Sequence, residues 1–364
     1  MTRADWQEEA NRVDQVFHAA LTQLGVASLE EALALWQSIP PASMARARTT
    51  WLTRIVRILM GHRSEARSLG RAYYRLVRAL RTGTTTADPY KPEPRYITLD
   101  ILREEFEALV PTPGAQEPGQ EPREDNTPTR VTPQPSDASH GDEEPAAEGN
   151  DFDEADRILV EELAEIEAEA ERQEREAERE AQKVLDNLGP NNFNNKADQL
   201  DGSSPHDEFE AALNEAYRQA GARQAAAVER LVQNGARAEI WTNVEHDKRA
   251  LGYVRYSTTG TPCGWCAMLI SRGVVYKSAQ SAEYDDGDKY HDNCHCSALP
   301  VFTKQQFEND PKYALNREYS GQWPDVTRGL SGKAAISAWR RFIRLQQRAQ
   351  AQAAKASTAH VQEA

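Results

Sequence analysis

All four cysteines of the chain fall in one short stretch, as Cys263-Gly-Trp-Cys266 and His291-Asp-Asn-Cys294-His-Cys296. Two close pairs, the second flanked by histidines, suggest that two separate segments meet at one point. Thiolate and imidazole are the ligand types that Zn²⁺ prefers, and four of them close a tetrahedral structural site. Two intervening residues let both sulfurs of a C-x-x-C turn toward one metal, and Gly264 eases that turn. The most economical ligand set is Cys263, Cys266 and Cys294 with either Cys296 or His291. His295 points away if its neighbours point inward.

Other chemistries compete for the same residues. The thiols could form disulfide staples. A cysteine protease needs a Cys–His pair, for which Cys266 and His291 are the candidates, with Asp292 or Asn293 as the orienting third group. Pro262-Cys-Gly-Trp-Cys266 also matches half of a zinc deaminase signature, with His206-Asp-Glu208 upstream. That reading leaves Cys294 and Cys296 unexplained and puts the H-x-E at the opening of a helix. A thioredoxin-like site lacks the surrounding alternation of strands and helices.

Composition limits the rest. A length of 364 residues suggests two or three domains, while a hydrophobic share of 39% shows that not all of it enters a core. A net charge of −14 argues against a general nucleic-acid binder. No apolar run reaches the roughly 20 residues needed to cross a bilayer, and the polar N-terminus lacks the apolar stretch of a signal peptide. The expectation is a chain made in a reducing cytosol, where clustered cysteines favour metal or redox chemistry.

The expected fold is mainly α with a small α+β C-terminal domain. Residues 1–110 read as a helical N-terminal domain. Ser28 and Glu31 form a capping box ahead of Ala32-Leu-Ala-Leu-Trp36, and Pro40-Pro41 ends that helix. A second helix runs from about 42 to 81, with Trp51, Ile55, Leu59, Leu69, Tyr73, Leu76 and Leu80 at helical spacing and Gly83 closing it. It carries ten arginines between Arg46 and Arg81. A solvated face is the expectation for them, with a surface for an acidic partner or DNA as the alternative.

Residues 111–150, rich in proline and acids, are expected to be a disordered linker. Residues 151–204 hold an acidic helix and connector. Its apolar seam of Ile158, Leu159, Leu163 and Ile166 is too short for a sustained coiled coil, so an exposed helix held by Glu–Arg pairs is expected. Gly189-Pro190 then breaks it. Residues 205–305 form the Cys/His-pinned domain. One helix is expected from Asp207 to Gln233, capped by Gly235, and a second from Ala236 to Arg249. Gly273-Val-Val-Tyr276 reads as a short strand. Residues 306–364 hold a C-terminal helix and tail, with Ile336, Trp339 and Ile343 on one face and arginines on the other.

Tyr290-His291-Asp-Asn-Cys294-His-Cys296 followed by Leu299-Pro300-Val301-Phe302 resembles the signature that ends the phage Mu F-like minor head domain. Gly260-Thr-Pro-Cys263-Gly-Trp-Cys266, with Leu269, Arg272, Gly273 and Tyr276, is similar to the version found in tailed phages of actinobacteria; Gly235, Arg237 and Asp247 also fit. The resemblance covers about residues 205–305. Asp292 and His295 stand where the broader family often has Pro and Arg. It implies a minor capsid protein acting in head morphogenesis, assembled in the bacterial cytoplasm and placed in the virion at the capsid interior or portal vertex. Portal protein, major capsid protein or scaffold would be the partners, with DNA contact as a weaker option and no membrane. Such chains are also labelled capsid maturation proteases. No G-x-S-x-G supports that label.

Overall fold

The computed structural model describes residues 3–86, 88, 97–111, 151–258, 260–274 and 296–362. Residues 112–150 of the expected linker at 111–150, and His291 and Cys294, lie outside them; so does part of the expected strand at 273–276. The described residues are mainly helical, with one two-stranded antiparallel sheet toward the C-terminus, as the sequence led us to expect.

Three long helices make the central bundle: α1 (Arg3–Gln37), α2 (Met44–Thr82) and α6 (His206–His246). The apolar stripe of α1 is Ala10, Val13, Phe17, Leu21 and Leu24, all buried. It meets Trp51, Ile55, Leu59, Leu69 and Tyr73 of α2, and Val228, Leu231, Val232 and Ile240 of α6. Trp36 anchors one end of the bundle. Its ring meets Trp51 edge-on at 5.3 Å and stacks on Tyr217 at 5.1 Å, and the Tyr217 hydroxyl donates to the Ile39 carbonyl at 2.6 Å. Gly83 ends α2 as expected, in the left-handed conformation (φ 79°), with its N–H on Ala79 O at 2.9 Å.

Three local expectations are corrected. Ser28 does not start a helix: α1 runs through it, and its buried hydroxyl donates back to Gly25 O at 2.8 Å within the helix. Gly235 does not cap a helix: α6 is continuous to His246. A Cβ at Gly235 would lie 2.7 Å from the Arg63 carbonyl oxygen, so the glycine serves the α2–α6 crossing; Gly70 on α2 does the same, where a Cβ would lie 2.8 Å from Ala236 O. Gly189-Pro190 does not break the acidic helix α4 (Asp151–Asp186). A π-helical turn, Asn187–Asn191, absorbs the proline's missing donor and continues into α5 (Asn192–Ala197), with Gly189 against the Trp36 and Trp51 rings.

The arginines of α2 correct a further expectation, because most are not on a solvated face. Arg63 pairs with Glu174 of α4 at 2.9 Å and donates to Leu231 O of α6 at 2.7 Å. Arg67 reaches Glu239 at 2.7 Å, and Arg75 reaches Glu105 of α3 (Leu99–Glu107) at 2.7 Å. Arg78 and the Tyr74 hydroxyl both donate to Asp247, at 2.5 and 2.9 Å. Among its arginines, Arg46, Arg54 and Arg57 are exposed. The second half of α4 is docked on one side, with Ala181 and Leu185 buried and Asp186 beside Arg48, while the expected Glu–Arg pairs, Glu169 with Arg172 and Glu171 with Arg175, lie on its exposed side.

The C-terminal part hangs on α6. Strands β1 (Gly252–Ser257) and β2 (Cys296–Val301) pair antiparallel in the register Gly252↔Val301 to Ser257↔Cys296. Around them lie α7 (Gly264–Ile270), α8 (Lys304–Asn309), α9 (Ala314–Val326) and α10 (Gly332–Gln362). Trp339 of α10 is wholly buried, with Tyr319, Trp323 and Phe342 around it at 5.1–5.6 Å. Among the described residues no helix is long and apolar enough to cross a membrane.

Candidate functional site

Cys263 is the N-cap of α7. Its sulfur accepts the Cys266 N–H at 3.3 Å, which turns the C-x-x-C back on itself as metal binding requires. Cys263 is exposed and Cys266 buried. The turn is held from outside by α10: Gln347 donates to Pro262 O at 2.7 Å, and the Arg340 guanidinium lies 5.9 Å from the Trp265 ring. Cys296 opens β2 opposite Ser257, the last residue of β1, and β1 then leads directly to Cys263. The chain thus brings both cysteine segments to one end of the sheet. Buried Arg237 fixes the second: it donates to Cys296 O at 2.7 Å and to Gln233 at 2.8 Å. Asp247, with Arg78 and Tyr74 on it, fixes the end of α6.

The donor set fits a structural metal in kind. Cys263 and Cys266 stand at the start of α7 and Cys296 at the start of β2, and Cys294 and His291 precede β2 by a few residues in sequence. Among the described residues alone, no three His, Cys, Asp or Glu side chains converge. A metal site would therefore need the segment carrying His291 and Cys294, which lies outside the described residues.

A second polar group lies where no motif pointed. Asp14, on the buried stripe of α1, accepts from the Tyr73 hydroxyl at 2.7 Å, from Arg81 at 3.3 Å and from Lys312. Burial works to raise its carboxyl pKa, but the Lys312 and Arg81 charges outweigh it and hold it below the usual range. Burial lowers the Lys312 ammonium. Beside them is a cavity of about 240 Å³, lined by Asn11, Asp14, His18, Tyr256 and Lys312 among others. His18 stacks on Tyr256 at 5.5 Å, and burial pushes its imidazole down to about 4. These charges satisfy one another, so the group acts as a clasp between α1, α2 and the turn at Asp310–Lys312. One signal was available in the sequence: an acid at position 14 interrupts an otherwise apolar stripe.

No curated protein and no solved structure matches the chain. A family model, that of the VG15 protein, matches residues 137–321, just over half of the chain. The match takes in α4, α6, both strands and every residue of the Cys/His cluster. It leaves α1, α2 and α10 outside. The chain therefore belongs to the VG15 protein family, a family of viral proteins.

Proposed function

We propose that this chain is a minor head protein of a tailed phage, of the Mu F-like kind, acting in capsid assembly near the portal. In this reading Cys263, Cys266 and Cys294, with either Cys296 or His291, supply the four ligands that pin the C-terminal fold. Zn²⁺, when bound, contributes a cross-link and no reaction. The observation that carries the proposal is the position of the cysteines: Cys266 is 1% exposed within α7, and Cys296 is 4% exposed within β2. A nucleophile must reach a substrate, and these two belong to the framework. Viral family membership and the interlocked helical architecture support an assembly part. The portal and the major capsid protein are the proposed partners, and the virion the proposed location.

The alternative, a maturation protease using Cys266 with His291, is separated by two measurements. Co-expression with the major capsid protein should leave that protein uncleaved; cleavage that disappears in Cys266→Ala would establish the protease instead. Elemental mass spectrometry on the purified full chain should find one zinc per chain, lost in Cys294→Ser together with thermal stability. A Cys294→Ser chain that melts like wild type would remove the pinning role. The assembly role predicts this chain in proheads at low copy and failure of head filling when it is depleted. Its absence from proheads and heads alike would overturn that role.

A further inference from the structure

We infer that the exposed face of α10 is a docking surface for the sugar-phosphate backbone of duplex DNA. The helix has no acidic residue over Gly332–Gln362, in a chain whose net charge is −14. Lys333, Arg340, Arg341, Arg344 and Arg348 are all exposed. At 3.6 residues per turn they fall within an arc of about 100° and span about 22 Å of helix. Ala335, Trp339 and Ile343, the buried seam, lie on roughly the opposite side. The contrast with α2 is informative. There Arg63, Arg67, Arg75 and Arg78 each pair with an acid, whereas no acidic side chain among the described residues pairs with any of the five cations of α10. Arg344 donates to the Arg340 carbonyl at 3.2 Å, and Arg340 lies over Trp265.

The composition of the arc selects the partner. Between its cations lies only Ser337, also exposed, so the arc has no apolar anchor; Leu345, 64% exposed, sits at its edge. A protein interface is organised around a buried apolar or aromatic centre. A membrane-surface helix needs its apolar face, and here Trp339 and Ile343 are already used in the core. Phosphates need cations alone. Arg340, Arg344 and Arg348 climb about 6 Å per step, close to two phosphates of one strand. At physiological salt the screening length is about 8 Å, so this local patch, not the net charge of the chain, governs contact at the surface.

The test uses the full chain and a fluorescently labelled duplex of arbitrary sequence, read by anisotropy across a salt series. Binding is expected at about 50 mM salt, with log K falling against log salt at a slope of about −3 to −4.5 for three to five phosphate contacts. Reversing Arg341→Glu, Arg344→Glu and Arg348→Glu together should weaken binding at least about tenfold with the helical circular dichroism signal unchanged. Reversing Arg46→Glu, Arg54→Glu and Arg57→Glu on α2 makes the same change in net charge and should leave binding within about twofold. Several outcomes overturn the inference. These are no binding at low salt, equal loss in both triple variants, displacement by polyglutamate as effective as by unlabelled duplex, or binding to anionic vesicles without binding to duplex.

Discussion

Asp14 and Asp247 show how single acids hold this molecule together. Each is buried, and each collects donors from elements distant in sequence: Tyr73, Arg81 and Lys312 on the first, Tyr74 and Arg78 on the second. Removing one partner of a buried pair strands the others in a poor solvent. Asp247→Ala is therefore expected to cost about 3–5 kcal/mol, read as a lower urea midpoint with unchanged slope. A loss below about 1 kcal/mol would show the pair to be effectively solvated. His18 gives a pH dependence. Its imidazole is held neutral, with a value of about 4 against an ordinary 6.5, so between those limits the unfolded chain binds more protons and stability falls as pH falls. Asp14, Lys312, Arg237 and Tyr256 are the charged or titratable groups around it. His62 works in the opposite sense. Glu65, with Glu31, raises it, so its contribution is present below 6.5 and is lost as pH rises through the raised value. In His18→Phe, which keeps a ring against Tyr256, the drop in denaturation midpoint from about pH 7 to about pH 5 should shrink. An undiminished drop would assign the acid sensitivity elsewhere.

At the scale of elements, the α2–α6 crossing is set by Gly70 and Gly235 rather than by large side chains. A methyl at either would lie within 3 Å of backbone on the facing helix, and backbone cannot turn aside. Gly70→Ala is expected to destabilise by about 1–3 kcal/mol although alanine is the better helix former, so its melting temperature should fall. A rise would mean that the helices separate at little cost. The helices α2 and α10 also show what periodicity can and cannot convey. Both display an apolar seam and a run of arginines, and both seams are legible. Whether the arginines meet acids or water depends on Glu174, Glu239 and Asp247, which the chain places far away. The π-turn at Asn187–Asn191 is similar. Gly-Pro is a breaker by local chemistry, but two tryptophans from other helices make a bed in which the chain continues.

For the whole molecule, α6 is the element on which everything else is laid. It packs on α1 and α2 with one face, supports the sheet with another, and places Arg237 on Cys296. The Lys312–Asp14 contact closes the same circuit from the C-terminal side. A fragment of residues 205–350 would expose Val228, Leu231, Val232 and Ile240 of α6, so it should lack a cooperative melting transition. Adding a 1–110 fragment should restore one. Cooperative melting of 205–350 alone would show that the Cys/His segment folds without the N-terminal helices.

Sequence alone determined what depends on local chemistry: the mainly helical class, the stop at Gly83, the apolar face of α10 and the tight turn of Cys263-Gly-Trp-Cys266. These follow from periodicity, from the left-handed preference of glycine and from ligand spacing, none of which needs a neighbour. Tertiary structure decided what depends on a facing surface. It kept α1 helical through Ser28 and α6 helical through Gly235. It turned Arg63, Arg67, Arg75 and Arg78 of α2 inward onto acids, and it made Asp14 a junction of three elements. In each case burial made an unpaired charge or an unfilled crossing costlier than the local preference it overrode.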